Sequence, residues 1–184
     1  SNLVQTLLDQ GVDINARGGL YGSALQAATW RGHEKVVQIL LDQGADANAP
    51  GSETYGTALQ AAACPGHENL VHTLLNHGAD VNAPGGENGT ALQAASSTGQ
   101  VNLVQTLLDR GADVNDPGTG IYGTALQAAS SRGHSNIVQI LLDHGADVNA
   151  PGGGIDGTAL QSASRRRHEK LVQILLDNGA KPEP

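Results

Sequence analysis

A chain of 184 residues with 18 acidic and 10 basic side chains, formal net charge −8, lacks the broad basic surface that nucleic-acid phosphates demand of a partner. It has no Phe and no Met, one Trp and three Tyr, so Ala, Leu, Val and Ile must supply its core. One cysteine, Cys64, excludes an internal disulfide framework and fits a reducing compartment. No signal-peptide pattern and no apolar run of bilayer-spanning length is present, so the expectation is a cytoplasmic, intracellular protein that engages no membrane.

The chain opens on Asn2 to Gly11, which repeats almost residue for residue at Asn102 to Gly111. This predicts the second helix of a unit whose first helix is missing, with an uncovered Leu/Val face that frays. At Gly22 begins Gly-Ser-Ala-Leu-Gln-Ala-Ala, which returns as Gly-Thr-Ala-Leu-Gln-Ala-Ala at Gly56, Gly89 and Gly123, and with Ser162 for Ala at Gly157. The steps are 34, 33, 34 and 34 residues, the mark of a solenoid. The whole chain, 1–184, reads as one array. A partial unit at 1–21 is followed by full repeats at 22–55, 56–88, 89–122 and 123–156, and by a shortened last repeat at 157–184.

Each copy carries a helix start. Ser23, Thr57, Thr90, Thr124 and Thr158 suit the N-cap, and Gln26, Gln60, Gln93, Gln127 and Gln161 stand three residues on, completing a capping box. Small pairs such as Ala61 and Ala62 then allow a neighbouring helix to approach. Gly32, Gly66, Gly99 and Gly133 stop this first helix, each followed by His or Gln; the last copy has Arg167 instead, which must take a positive φ or alter the turn. A second helix follows, with a broad apolar stripe such as Val36, Val37, Ile39, Leu40 and Leu41. Turn residues, as in Ala45 to Gly51, then lead the chain into a projecting, hairpin-like loop. In the final unit Lys181-Pro182 replaces the Asp-Val-Asn of earlier loops, and the array is expected to stop there.

Helix, turn, helix and outward loop on this period, with Gly-His between helices and Leu-Leu-x-x-Gly-Ala-Asp-Val-Asn-Ala after them, resembles the ankyrin repeat over nearly the whole chain. The resemblance implies an all-α solenoid of helix-turn-helix units with projecting hairpin-like loops. One departure is Thr-Ala-Leu-Gln in place of Thr-Pro-Leu-His; the Gln takes over part of the His role. The near-identical Tyr-Gly-Thr-Ala-Leu-Gln-Ala-Ala wording is also similar to the arrays at the C-terminal ends of fungal NACHT-type intracellular receptors.

Candidate chemistry has bland counterparts. Gly118 to Gly123 and Gly152 to Gly157 match G-x-G-x-x-G before a helix, but each follows a helix and turn rather than a buried strand, and repeated loop glycines explain both. His33, His67, His134 and His168 share one repeat position, so they are held one unit apart and brace a turn rather than converge on a metal. The same spacing makes Asp46, Asp80, Asp113 and Asp147, with their Asn partners, an inter-repeat hydrogen-bond ladder rather than a calcium site. No nucleophile–base set is present, so the expectation is no enzyme, no cofactor and no metal.

Residues that vary between units while the frame stays fixed are free to be read by a partner. The resemblance places them on loop tips and first helices lining a concave face. They are Tyr21, Trp30, Arg31, Glu53, Tyr55, Ile121, Tyr122, Arg132, Ile155, Asp156, Arg165 and Arg166. Trp30, Cys64, Ser97, Ser131 and Arg165 should form one row, and Tyr21, Tyr55 and Tyr122 another beside it. Tyr, Trp and Arg are enriched at binding hot spots, and all four aromatics fall at these positions. The expected function is non-catalytic recognition of another protein, as part of a larger intracellular protein. The alternatives are a small-molecule or enzymatic role in the groove, or a structural or engineered scaffold.

Overall fold

In a computed structural model, described here for residues 2–118 and 120–182, the chain forms eleven helices and one small hairpin. The first helices are α2 (Ala24–Trp30), α4 (Ala58–Ala63), α6 (Ala91–Thr98), α8 (Ala125–Arg132) and α10 (Ala159–Arg165). The second helices are α1 (Asn2–Asp9), α3 (Glu34–Asp42), α5 (Glu68–Asn76), α7 (Val101–Asp109), α9 (Ser135–Asp143) and α11 (Glu169–Asp177). Each first helix packs on its own second helix and on the first helix of the next unit, so the array is two parallel rows.

The capping boxes form. Gln26, Gln60, Gln93, Gln127 and Gln161 accept from the cap residue's own N–H through Oε1, at 2.6–3.0 Å. Ser23, Thr90, Thr124 and Thr158 accept the return bond from the Gln backbone N–H. Among these five cap residues only the Thr57 hydroxyl is buried without a partner, as the Ser96 and Ser130 hydroxyls are within their helices. The Gln does more than cap. Its Nε2 donates to the loop that follows its unit's second helix, from Gln26 to Ala49 O at 2.9 Å and from Gln60 to Ala83 O at 2.6 Å. A nearly fully buried amide thus uses both ends, one at its own helix cap and one on the loop that leads to the next unit.

The core is a continuous aliphatic seam. Leu59, Leu92 and Leu126 from first helices meet Leu70, Val71, Leu74, Leu103, Leu107, Ile137 and Leu141 from second helices, all essentially inaccessible. Each such Leu contributes roughly 1.5–3 kcal/mol. First helices touch one another more extensively than second helices do, because Ala and Ser line their contacts. The first helices are thus the more closely packed row, the row that the family resemblance assigns to the inner, concave side.

The first-helix stops follow one pattern. The N–H of His33, His67, Gln100, His134 and His168 returns to the carbonyl five residues earlier, at 2.9–3.1 Å, which requires a left-handed residue between. Gly fills that place four times, and Arg167 adopts φ 59° to keep the turn. The imidazole of each following histidine then braces the unit before it. Nε2 of His67, His134 and His168 lies 3.2–3.3 Å from the carbonyls of Trp30, Ser97 and Ser131.

The Asp/Asn ladder runs the length of the array. Asn48 accepts from Asp80 N–H and donates to Gly78 O; Asn82 does the same to Asp113 and Gly111, and Asn115 to Asp147 and Gly145. Asn149 ends the run, with Lys181 N–H in the Asp place.

The loops differ from the hairpin expectation. Among the described residues only the first forms a regular two-stranded ladder, β1 (Arg17–Gly18) with β2 (Gly22–Ser23), and the second keeps a single bridge, Ser52 with Gly56. In later loops the tip N–H is spent on the neighbouring unit instead. Glu87 donates to Thr54 O, Ile121 to Glu87 O and Ile155 to Ile121 O, at 3.3, 2.9 and 3.0 Å. Leu7 and Val12 are 43 % and 51 % exposed, whereas Leu107, the residue equivalent to Leu7, is fully buried.

Candidate functional site

The variable side chains are placed by two fixed frames. The loop-tip rail holds Leu20, Ile121 and Ile155 outward, 64 %, 43 % and 64 % exposed, and Glu53 is exposed beside the second tip. The capped first helices hold the residue at or just past their C-terminal end against the loop that leads into them. This brings together residues ten apart: Arg31 Nη2 donates to Tyr21 OH at 3.1 Å, Arg132 Nη2 to Tyr122 OH at 2.6 Å, and Arg166 Nη2 to Asp156 Oδ2 at 3.0 Å. The Arg31 and Arg132 guanidinium carbons lie 5.8 and 5.3 Å from the Tyr21 and Tyr122 ring centres.

A second set of contacts joins each loop to the first helix before it. Tyr55 sits with its ring 4.5 Å from Trp30 and 4.9 Å from Tyr21, making one cluster of three rings across two units. Asn88 Nδ2 approaches Cys64 Sγ at 3.5 Å, and Ser131 Oγ donates to Asp156 Oδ2 at 2.6 Å. Tyr122 stands outside the cluster, paired with Arg132 instead. The row of Trp30, Cys64, Ser97, Ser131 and Arg165 is also unevenly presented: Ser97 and Ser131 are buried, Cys64 is half-buried, and only Arg165 is fully open.

Two groups are shifted by these surroundings. The Ser131 hydroxyl, above all, holds the Asp156 carboxyl below the ordinary range against partial burial, with Arg166 and then Arg165 adding to it. Burial pushes the Cys64 thiol up. Between Trp30, Tyr55, Cys64 and Asn88 the cleft has only about 10 Å³, scarcely room for a water. Among the described residues no group of three or more His, Cys, Asp or Glu converges to hold a metal, and no helix is long and apolar enough to cross a membrane.

The pairing of the residue before the repeat glycine with the residue at the C-terminal end of the first helix that follows was not anticipated from sequence. The signal was present as a constant ten-residue offset, Tyr21 to Arg31, Tyr122 to Arg132 and Asp156 to Arg166. The two glycine-rich loops resolve into packing: a methyl at Gly120 would lie 2.5 Å from Gly89 N, and one at Gly154 would collide with the Tyr122 backbone. Their glycines let one loop lie on the next.

Fold and face define a helical repeat solenoid whose inner helices and loop tips carry its variable side chains. The ankyrin-repeat signature matches residues 23–52, and its three-copy form matches 51–118 and 116–184; the chain belongs to the ankyrin-repeat family. Arrays of this family are typically protein–protein interaction modules and usually non-catalytic. No match was found among the curated proteins. The likeness to fungal NACHT-type receptor arrays stands on the wording of the units alone.

Proposed function

We propose that this array recognises another protein on its inner face, as a non-catalytic part of a larger intracellular, cytoplasmic protein. The observation that carries the reading is the cluster of Tyr21, Trp30 and Tyr55. Three of the chain's four aromatic residues meet on the surface of a molecule whose core uses none, and all three stay half-exposed. Aromatic anchors of this kind dominate interface energetics when a partner desolvates them. Arg31, Tyr122, Arg132, Ile121 and Ile155 extend the contact along the array, with Glu53, Asp156, Arg165 and Arg166 at its polar rim. The rings also stack between units, so they serve stability as well as contact. A small-molecule or enzymatic role finds no support in a cleft that small or in a face without a nucleophile–base pair.

The test is affinity capture with quantitative mass spectrometry using wild type, Tyr55→Ala, Ile155→Ser and Gln139→Ala. Truncating an anchor costs at least about 2 kcal/mol, roughly 30-fold in affinity. A partner retained by wild type and Gln139→Ala but depleted by Tyr55→Ala and Ile155→Ser supports the inner face. Loss with Gln139→Ala alone moves the interface to the second helices and refutes the reading.

A further inference from the structure

The first-helix row of this acidic chain is basic. No first helix contains an acidic residue, and the ends of α2, α8 and α10 carry Arg31, Arg132 and Arg165. Every second helix except α5 ends in Asp, and the Asp ladder lies in the connections that follow those helices. Charge is thus segregated by helix row, and the carboxylates on the loop side, Glu53, Glu87, Asp116 and Asp156, all lie in the loops rather than on the first helices. Two of the inner arginines are also held ready without being neutralised. Arg31 and Arg132 each spend one donor on an uncharged phenol, and among the described residues neither has a carboxylate within ion-pair distance. A guanidinium has five donors in a rigid fork, so most of each fork still faces solvent, already oriented. Arg166 differs, because Asp156 pairs with it, while Arg165 beside it is exposed.

We propose that the partner presents an extended acidic segment to this face, its carboxylates accepted by Arg31, Arg132 and Arg165 and its apolar side chains laid on the Tyr21–Tyr55–Trp30 cluster. The proposal rests on the reading of the inner face as the interaction surface and adds the chemistry of the occupant. Arg31 and Arg132 stand three units apart. At about 10 Å per unit that is ~30 Å, which an extended chain covers in about nine residues. Arg132 and Arg165 are one unit apart, about three residues. The segment therefore runs along the array for about a dozen residues and meets a cation near each end. Charge complementarity sets its orientation and speeds its arrival, and the long acidic back of the array repels the same segment from the wrong face.

The probe is a fluorescent peptide of about fifteen residues, glutamates alternating with serine and two leucines at one end, read by anisotropy at low and at physiological salt. Its counterparts carry Gln or Lys for Glu, and single-stranded DNA of matching length serves as a generic polyanion. Binding of the Glu peptide at least about tenfold tighter than the Gln peptide, weakened several-fold by salt, is expected. Arg31→Gln and Arg132→Gln should each reduce it about three- to tenfold, while Arg110→Gln, which removes a cation from the second-helix side, leaves it unchanged. Far-UV melts of the variants check that the array is intact. Equal binding of Glu and Gln peptides, an equal loss with Arg110→Gln, or tighter binding of the DNA would each overturn the proposal. A captured protein that depends on Tyr55 and Ile155 but not on Arg31 or Arg132 would refute the acidic occupant and leave the inner-face reading standing.

Discussion

At the scale of single residues, the same amino acid has different reasons for its place. Gly99 and Gly111 both have φ above 80°, so either loses about 1–2 kcal/mol when replaced by an L-residue. A methyl on Gly99 would also lie 2.8 Å from the His134 ring, whereas nothing lies within 4 Å of one on Gly111. Gly99→Ala should therefore destabilise measurably more than Gly111→Ala in chemical denaturation; equal losses would show that only backbone conformation matters. Asp156 offers a second case. Its folded carboxyl titrates below the ordinary value, so the stabilisation is complete above the ordinary carboxylate pKa and is lost as pH falls through the lowered one. NMR titration of Asp156 should give a midpoint below 3.8, moving up in Ser131→Ala, since the Ser131 hydroxyl is the largest cause. An unmoved midpoint would assign the shift to the arginines.

At the scale of elements, what was readable from sequence is what repeats. Thr90 and Gln93 announce a capped helix because the cap geometry is local, and Asp80 and Asn82 announce a ladder because any side chain on a fixed period meets its own copies. The loop rail was harder to read. Backbone donors such as Ile121 N–H carry no residue code, so the choice between a hairpin within one loop and a bond to the next could not be read from side chains. The meeting of Tyr55 with Trp30 was hidden for a related reason, since the position ten residues on, where Tyr21 and Tyr122 find an arginine, is Pro65. The ladder makes a quantitative prediction. Asn82→Ala removes two inter-unit bonds, to Gly111 O and from Asp113 N–H, at roughly 0.5–1.5 kcal/mol each. It should lower the stability of the array by about 1–3 kcal/mol. A change within error would mean that water replaces both bonds freely at this exposed site.

At the scale of the whole molecule, stability and recognition are divided between faces. The aliphatic seam, the His braces and the Asp/Asn ladder hold neighbouring units in register, and none of them needs the loop tips or the ends of the first helices to keep one sequence. Those places are where the units differ, and they carry the exposed Ile155, the three-ring cluster and the arginines held by tyrosine hydroxyls. The central claim is that recognition uses this inner face. Amide hydrogen exchange on the array, free and bound to its captured partner, tests it most directly. Bound-state protection is predicted at the loop tips around residues 20–22, 53–56, 121–123 and 154–157, and at the ends of the first helices, with second helices α3, α5, α7, α9 and α11 unchanged. Protection concentrated on those second helices, with the loop tips exchanging as in the free array, would contradict it.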